Sequence, residues 1–391
     1  MILNDICEFI VDCPHTTAPD EGAGYPLIRT PNIGKGRLVL NGVHRVSEKV
    51  YRQRIQRGMP QDNDLIFARE APAGNVAIVK NGKKVCLGQR TVLLRPDKSK
   101  VCPDYLVYYI LAPAQQYKLL GTANGATVAH VNLPVIRNMP VELPPIEVQE
   151  IVAGYLSAYD TLIENNQKQI KLLEEAAQRL YKEWFVDLRF PGYEDTPVVD
   201  GVPEGWTLGE LGDIAIDSGK KEKKEHRGQY QYYLPIDCLP KRSLAYTDKN
   251  DITLAESSLV AFMPNDILFG AMRPYFHKVV VARDKGLTRT TCFVINSKTP
   301  AYWAYLLLLL FSKDTVDYAT QISVGTTMPY VRWKDFTHMP TLIPPEEKCD
   351  AFQSIVLPII ERISCLAVSC ERLIQARDRL LPKLMNGEIE V

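Results

Sequence analysis

Apolar residues recur every three or four positions along two long stretches of the chain, which predicts two amphipathic helices. Each stretch follows a double proline, at 144–145 and at 344–345, and acidic residues come next. Proline and negative charge favour the first turn of a helix, where backbone N–H groups lack partners. The predicted seam comprises Ile151, Tyr155, Tyr159, Ile163, Ile170, Leu173, Ala177, Leu180 and Trp184 in the first helix, and Ile355, Ile359, Ile363, Leu366, Cys370, Leu373, Leu380 and Leu384 in the second.

Helices of this length need a long partner surface. A helix of about 40 residues is about 60 Å long at a rise of about 1.5 Å per residue, more than one small domain covers. We therefore expect the two stripes to pair as an antiparallel coiled coil. Periodicity alone is equally typical of a coiled coil that has a purely structural role. Pro358 lies within the second stretch and is predicted to kink that helix or to mark a later start.

A β-rich portion precedes each long helix. Short apolar runs punctuated by Gly and Asn predict strands at 64–69, 76–79 and 91–94, and again at 266–269, 278–281 and 292–295. A shorter helix is expected after each set, at about 104–119 and 300–318.

The chain also repeats itself at an offset of 200 residues. The segment 125–131 resembles 325–331, and Met139-Pro140 recurs as Met339-Pro340. The expected fold class is α+β, with two globular α/β domains joined by two long helices and related by a pseudo-two-fold. The predicted limits are 1–143 and 206–343 for the globular domains, 144–190 and 344–391 for the helices, and 191–205 for a linker rich in Pro and Gly.

Composition is that of an ordinary globular protein. The 391 residues are 46% hydrophobic and 24% charged. Nine cysteines include no Cys-x-x-Cys pair, so we expect reduced thiols rather than zinc ligands. No secretory signal pattern is visible, and the longest apolar run, Leu306 to Phe311, is too short to span a bilayer. We therefore expect a cytoplasmic protein with no membrane partner.

Charge is unevenly distributed although the net charge is zero. Residues 1–143 hold 18 Lys and Arg against 12 Asp and Glu, whereas residues 144–195 hold 5 against 10. The later parts are closer to balance, with 17 against 16 in 196–343 and 6 against 8 in 344–391. The globular portions are thus neutral to basic and the helical portions acidic, which indicates separate tasks.

Motifs of self-sufficient catalysis are absent from the sequence. There is no phosphate-binding Gly-x-x-x-x-Gly-Lys-[Ser/Thr] loop, no Gly-x-Ser-x-Gly elbow and no His-x-x-x-His pair. The Asn-Pro-Pro-Tyr motif of amino-methyltransferases is also missing. An enzyme that acts alone is therefore disfavoured.

The β-rich portions do contain side chains suited to DNA. Arg and Gln can form paired hydrogen bonds to base edges, and Lys contacts phosphates through its charge. For each single residue, a solvated surface position is the simpler interpretation. The candidate contacts are His15, Thr16, Thr17, Arg29, Asn32, Lys35, Arg37, Arg69, Gln89 and Arg90 in the first portion, and Lys223, Lys224, Arg227, Tyr232, Arg273, Tyr275, His277, Lys278 and Arg289 in the second.

Several segments, in order, resemble the specificity subunit of type I restriction-modification systems, over essentially the whole chain. Residues 64–72 resemble a strand and turn of its target-recognition domain, and 143–149 and 180–186 resemble the two ends of its central helix. Residues 202–206 resemble the entry to a second recognition domain, and 380–389 the end of the C-terminal helix.

This resemblance implies a non-catalytic subunit of a larger complex. Each recognition domain would bind one half of a split sequence in double-stranded DNA, and the paired helices would hold the halves a fixed distance apart. Two methyltransferase subunits carrying S-adenosylmethionine would dock on the helices. A restriction subunit, the motor-nuclease that uses ATP and Mg, would join in systems that cleave. Because the two portions differ in their candidate contacts, we expect an asymmetric target.

Two other functions remain open at this point. A coiled-coil scaffold displaying two protein-binding domains would explain the helices, but not the excess of basic residues in 1–143. An enzyme acting alone on nucleic acid would need a site that the motifs do not indicate.

Overall fold

The computed structural model describes residues 1–121 and 129–391. Of the repeated segment 125–131, the residues Gly125 to Val128 lie outside this range, so that part of the repeat is not considered further. The chain forms two compact units. Unit 1 comprises Met1–Ile163 and Leu373–Val391, and unit 2 comprises Glu164–Arg372. Each long helix therefore contributes residues to both units, and the domain limits drawn from the sequence stay predictions.

Unit 1 contains a five-stranded and a three-stranded sheet. The strand orders are β1-β8-β5-β6-β3 and β4-β2-β7. Four of the six strand pairs are antiparallel, and the pairs β3 with β6 and β2 with β7 are parallel. The strands are β1 (Cys7–Asp12), β2 (Tyr25–Ile28), β3 (Gly36–Arg37), β4 (Arg45–Val46), β5 (Leu65–Ala68), β6 (Val76–Ile78), β7 (Cys86–Leu87) and β8 (Thr91–Pro96).

Helices cover one side of the larger sheet in unit 1, except for the first helix, which packs on the smaller sheet. They are α1 (Glu48–Arg54), α2 (Pro103–Leu111), α3 (Pro113–Gly121), α4 (Leu133–Arg137) and the first half of α5 (Ile146–Tyr181), with short 3-10 turns at Leu3–Ile6 and Thr30–Asn32. The single helix predicted at 104–119 is in fact two. Proline disfavours helical geometry in the preceding residue, and Ala112 before Pro113 is extended, at φ −60° and ψ 140°.

Unit 2 is built from four small sheets. Their strand orders are β12-β18-β15-β16, β13-β14-β17, β11-β19 and β10-β9, with every pair antiparallel. The strands are β9 (Val198–Val199), β10 (Val202–Pro203), β11 (Thr207–Glu210), β12 (Ala215–Asp217), β13 (Lys220–Glu222), β14 (Leu259–Phe262), β15 (Ile267–Gly270), β16 (Val279–Val281), β17 (Gly286–Arg289), β18 (Cys292–Ser297) and β19 (Pro340–Ile343).

The helices of unit 2 include the second half of α5 and most of the C-terminal helix. They are α6 (Leu211–Ile214), α7 (Trp303–Leu310), α8 (Lys313–Gln321), α9 (Trp333–Phe336) and α10 (Glu346–Met385), with a π turn at Lys182–Val186 and 3-10 turns at Tyr193–Asp195, Lys224–Gln229, Ile236–Cys238, Ile252–Leu254, Pro274–Phe276 and Pro300–Tyr302. The helix predicted at 300–318 is again divided, because the Ser312 side chain accepts a hydrogen bond from the Thr315 N–H and caps a new helix.

The two units share one strand arrangement. The order β1-β8-β5-β6 in unit 1 matches β12-β18-β15-β16 in unit 2. A buried aspartate precedes the equivalent strands β5 and β15. Asp64 binds Arg95 on β8, at 2.9 and 2.8 Å, and Asp266 accepts from Asn296 on β18, at 3.0 Å. Each aspartate also accepts the backbone N–H three residues earlier. The duplicated sequence thus builds the same sheet twice.

The long helices pair in antiparallel fashion within each unit. In unit 1, Val152 and Leu156 of α5 join the same buried cluster as Leu384 of α10. In unit 2, Ile170 and Ala177 of α5 lie in the same buried cluster as residues of α10 between Phe352 and Ala367. Apolar side chains on both helices are therefore removed from water, which is the main source of their stability.

Most side chains of the predicted seam are at least partly removed from solvent. Ile163, Ile170, Ile363 and Leu366 are buried. The other central positions are partly buried, namely Tyr159, Leu173, Leu180, Ile359, Leu373 and Leu380.

Near the start of each helix, the seam prediction is wrong by one residue. Ile151, Tyr155 and Ile355 are 46%, 55% and 46% exposed, and the adjacent Val152, Leu156 and Val356 are buried instead. These first turns pack on the globular core of their own unit as well as on the partner helix, so the buried face differs from the one that periodicity selects.

Pro358 does not delay the second helix, since α10 begins at Glu346 and continues through it. By length and composition alone α10 could cross a membrane, with a window of mean hydropathy 1.6. Core helices of globular proteins have the same composition, and one face of α10 is buried here.

Buried carboxylates attach the globular parts to the helices. In unit 1, Asp160 of α5 accepts from the Tyr108 hydroxyl at 2.5 Å and pairs with Arg377 of α10 at 2.6 Å. Burial raises the pKa of the Tyr108 hydroxyl far above its ordinary value, and the nearby Asp160 carboxylate adds to the shift. In unit 2, Glu174 accepts from Ser243 and from the Leu244 N–H, each at 2.7 Å. These contacts fix the orientation of each sheet on its helices.

Replacement of Arg377 by Ala should destabilise the chain. Asp160 would be left as a buried carboxylate without its cation, which costs about 3–5 kcal/mol of unfolding free energy. Arg377→Ala is therefore expected to lower the denaturation midpoint strongly in urea unfolding of the full chain. The matched control is Arg379→Ala, an exposed position two residues away, with an expected change within about 0.5 kcal/mol. Equal stability of the two variants would show that the ion pair carries no such role.

Candidate DNA interface

Three strand ends meet at one edge of the larger sheet in unit 1. Strands β1 and β5 both run antiparallel to β8, with Asp12 opposite Val92 and Ala68 opposite Thr91. The ends of β1 and β5 and the beginning of β8 therefore lie side by side. The loops that leave this edge carry four of the predicted contacts, His15, Arg69, Gln89 and Arg90.

A chain of hydrogen bonds links five side chains at this edge, which we call the Arg69 cluster. Arg69 contacts Asp12 at 2.7 Å and the Nε2 atom of His130 at 2.8 Å. The Nδ1 atom of His130 lies 2.5 Å from Glu70, whose other oxygen lies 2.5 Å from Arg90. An arginine can only donate, so Nε2 of His130 accepts and Nδ1 carries the proton that is donated to Glu70. The imidazole of His130 thus connects Arg69 to Glu70.

The inner members of the Arg69 cluster are mostly shielded from solvent, and its last member is exposed. The side chains of Arg69, Glu70, His130 and Arg90 are 11%, 15%, 27% and 63% exposed. The inner members are desolvated and fully engaged with each other, so their charges are held by strong hydrogen bonds. Arg90 alone extends into solvent, and its guanidinium is the part of the cluster that DNA can reach.

Other predicted contacts lie beside the Arg69 cluster. Gln89 donates to the His15 carbonyl at 2.9 Å, and the His15 side chain lies 3.3 Å from Asp12. Thr16 and Thr17 follow in the same exposed loop. Arg29 is also close, because β2 and β7 run parallel and the Gly88 N–H bonds to the Ile28 carbonyl at 2.8 Å.

Three predicted contacts of unit 1 are placed elsewhere. Asn32 is buried, and its side chain accepts from the Arg29 N–H and donates to the Val39 carbonyl, which stabilises a turn. Arg37 lies 3.8 Å from Asp104 of α2, a carboxylate that Lys80 also binds. Lys35 is exposed on the intervening loop. The structure therefore places Asn32 and Arg37 in supporting positions rather than on the recognition edge.

The equivalent edge of unit 2 carries different side chains. Arg273 follows β15, with a positive φ of 52°, and its Nη2 atom donates to the Thr327 carbonyl at 3.2 Å. Arg289 ends β17 and is exposed, and Thr290 and Thr291 lead into β18. Backbone bonds from the N–H groups of Ala271 and Met272 to the Thr291 carbonyl join these loops.

The remaining candidates of unit 2 divide into buried and ion-paired groups. Tyr232 lies in the core, where its hydroxyl and that of Tyr246 are 2.6 Å apart. His277 contacts the Phe311 carbonyl at 2.9 Å, and burial lowers its pKa, so it is neutral near pH 7. Lys278 donates to the Ile236 carbonyl at 2.6 Å. The structure thus gives these three side chains internal roles.

The charged loop after β13 of unit 2 is largely neutralised. Lys224 pairs with Glu256, and Arg227 donates to the Thr253 carbonyl at 3.0 Å. Lys223 is exposed. Tyr275 is exposed next to the Arg273 loop and is therefore the better-placed aromatic candidate.

Identical backbone contacts show which residues of the two edges correspond. The Val131 N–H bonds to the Arg69 carbonyl, and the Val331 N–H bonds to the Ala271 carbonyl, each at 3.0 Å. The N–H of Arg69 bonds to Arg90, as that of Ala271 bonds to Thr291, each at 2.9 Å. The aligned pairs are Arg69 and Ala271, Glu70 and Met272, Arg90 and Thr291, and His130 and Tyr330. One backbone frame thus displays two unrelated sets of side chains.

Sequence patterns missed three members of the Arg69 cluster, namely Asp12, Glu70 and His130. Glu70 and His130 are sixty positions apart in the chain, and an isolated histidine gives no signal. The repeat contained a usable hint, since His130 aligns with Tyr330 inside an otherwise similar segment. Among residues 1–121 and 129–391, no group of three or more His, Cys, Asp or Glu is arranged to hold a metal ion.

Comparison with known proteins gives a consistent result. Residues 1–175 match the family model of the type I restriction modification DNA specificity domain. The type I restriction enzyme MjaIX specificity subunit of Methanocaldococcus jannaschii is 28% identical, over 95% of this chain and 88% of its own length. The HindI specificity subunit of Haemophilus influenzae is 20% identical, over 83% and 86%. The crystal structure of an S subunit from M. genitalium has a similar fold, with a TM-score of 0.55 at 14% identity over 98% of this chain and 95% of its own.

Loss of the Tyr232 hydroxyl should reduce stability without affecting DNA binding. A buried hydrogen bond contributes about 0.5–1.5 kcal/mol, so Tyr232→Phe is expected to lower the unfolding free energy by that amount. Salt-dependent gel shifts with double-stranded DNA should be unchanged. Tyr275→Phe is the exposed control, with no expected change in stability. Weakened DNA binding by Tyr232→Phe at unchanged stability would contradict the internal role.

Proposed function

We propose that the chain is a member of the family of type I restriction-modification specificity subunits, and that it recognises a split, asymmetric sequence in double-stranded DNA. Unit 1 recognises one half of the target and unit 2 the other. The observation that carries this proposal is the duplicated strand edge, with matching backbone bonds and different side chains.

Asymmetry follows from the chemistry of the aligned positions. Unit 1 presents an ionic network ending in Arg90, whereas the same positions of unit 2 hold Ala271, Met272, Thr291 and Tyr330. Arginine favours guanine O6 and N7, while threonine and apolar side chains favour other base edges, including the thymine methyl group. Two edges with such different donors would not select the same bases.

We further propose that the subunit is non-catalytic and acts through partners. S-adenosylmethionine would be held by methyltransferase subunits that methylate adenine, and ATP with Mg by a motor-nuclease subunit in systems that cleave. Nine free cysteines, all without disulfide partners, fit a complex that works in the reducing cytoplasm.

The exposed first turns of the two long helices are the proposed docking sites for two methyltransferase subunits. Ile151, Tyr155 and Leu162 lie on one face of α5 in unit 1, and each is about half exposed. Tyr155 corresponds to Ile355 of α10 in unit 2, which is also exposed. Contiguous exposed apolar residues mark interaction surfaces. Because the repeat presents one exposed apolar side chain at the equivalent position of each unit, Tyr155 or Ile355, two copies of one partner can bind.

The asymmetric target is testable by methylome sequencing. A host that carries this chain with its methyltransferase subunit should show one methylated motif of two different halves separated by unspecified bases. Exchange of the strand-edge loops of unit 2 for those of unit 1 should convert the second half to resemble the first. A single uninterrupted motif, or a palindrome in the unaltered protein, would contradict asymmetric recognition. No methylation and no DNA binding would favour a coiled-coil scaffold instead.

Docking is testable with a charge placed in each patch. Loss of one central apolar contact at an interface costs about 2 kcal/mol or more, roughly a 30-fold weaker affinity. Tyr155→Glu and Ile355→Glu are each expected to reduce the bound methyltransferase from two copies to one in native mass spectrometry, and the double variant should bind none. Gln178→Glu, which adds the same charge at an exposed position outside the patches, is the control. Two copies retained by the double variant would exclude these surfaces.

A further inference from the structure

We propose that Arg90 recognises a guanine in the half-site bound by unit 1, and that Arg69, Glu70 and His130 are positioning residues that hold it. This assignment rests on the proposed function. It distinguishes two arginines of the same edge that the sequence alone treats as equal.

Arg69 is engaged within the protein. Its Nε atom donates to the Val131 carbonyl at 3.1 Å, Nη1 contacts Asp12 and Nη2 contacts His130. All three nitrogens therefore have internal partners, and the side chain is nearly buried. DNA could use Arg69 only by breaking charge-assisted hydrogen bonds in a desolvated site, which are among the strongest in proteins.

Arg90, in contrast, is mostly exposed and makes few contacts within the protein. Only Nη1 is held, by Glu70, and no contact of Nε or Nη2 is made within the part of the chain that the structure describes. The guanidinium is planar and presents its N–H groups in a fixed fork, which matches the O6 and N7 atoms of guanine. Arg90 thus has a free pair of donors on an exposed, anchored group.

The anchoring explains why the cluster is built as a chain. A free arginine loses rotamer entropy when it binds, and an arginine already held in place loses less. Glu70 holds Arg90, and the Nδ1 proton of His130 holds Glu70. His130 is in turn fixed by the buried Arg69. The backbone adds to this, since Arg90 has a positive φ of 63° in the short turn before β8.

The aligned position of unit 2 lacks this group. Thr291 stands where Arg90 stands, and Met272 replaces the anchoring Glu70. The guanine contact is therefore specific to one half-site, and the other half-site serves as an internal reference in the same molecule.

The test uses the full chain with its methyltransferase subunit, and compares methylomes and gel shifts. Arg90→Ala should relax one guanine position of one half-site, with discrimination there reduced by about 5- to 150-fold, while the other half-site is unchanged. Arg90→Lys keeps the charge but not the fork, so it should lose the same discrimination at nearly unchanged affinity for unrelated DNA. Lys98→Ala, which removes an exposed charge beyond the opposite end of β8, should leave the motif unaltered.

The positioning role has its own readout. Glu70→Ala should relax the same base position as Arg90→Ala, and Glu70→Gln, which still accepts a hydrogen bond, should restore most of the discrimination. Uniform weakening on all sequences, with a salt slope lower by about one and an intact motif, would show that Arg90 binds a phosphate and would overturn the proposal. An unaltered motif in both Arg90 variants would also overturn it. Failure of the proposed function is distinguishable, because the unaltered protein would then give no methylated motif.

Discussion

Burial of one apolar face on each of two long helices is the constraint on which this structure depends. Residues 146–163 of α5 and 373–385 of α10 belong to unit 1, and the rest of both helices belongs to unit 2. Unit 1 is thus completed by a segment more than 200 positions away in the chain. Bringing together two segments that are so far apart in the chain costs conformational entropy, and this cost grows slowly with the length of the intervening loop. The shared apolar cluster and the Asp160–Arg377 pair offset the cost.

How far the sequence predicts this fold can be judged at particular residues. The spacing of Ile163, Ile170, Ile363 and Leu366 locates the seam, because a buried stripe of a helix has to follow its own period. The same rule fails at Tyr155 and Ile355, where the helix surface faces two neighbours and periodicity cannot tell which one determines the buried side. Local chemistry explains why each predicted short helix is divided in two. Pro113 and Ser312 each interrupt a helix at a position where the apolar pattern alone predicts that it continues.

The candidate interface was predictable in part for a different reason. Arg69, Gln89 and Arg90 adjoin predicted strand ends, and strands that alternate in direction bring such ends together. Their division of labour depends on Asp12 and His130, which are distant in the chain and become neighbours only in the folded sheet. Tyr232 shows the converse. An aromatic residue in a basic region resembles a base-stacking candidate, but its hydroxyl finds a partner in Tyr246 and its ring lies in the core.

Comparison of the two edges indicates how such a protein can change its target without losing its fold. Removal of one member of a buried ionic network leaves an uncompensated charge and costs about 3–5 kcal/mol, whereas replacement of the whole network by apolar groups is often neutral. Unit 2 has the second arrangement, with Ala271, Met272 and Tyr330 where unit 1 has Arg69, Glu70 and His130. The backbone bonds that join these loops are unchanged. Main-chain hydrogen bonds hold the loops in place, so the side chains of the edge can change without loss of the fold. If all members of the ionic network are replaced together, no buried charge is left without a partner.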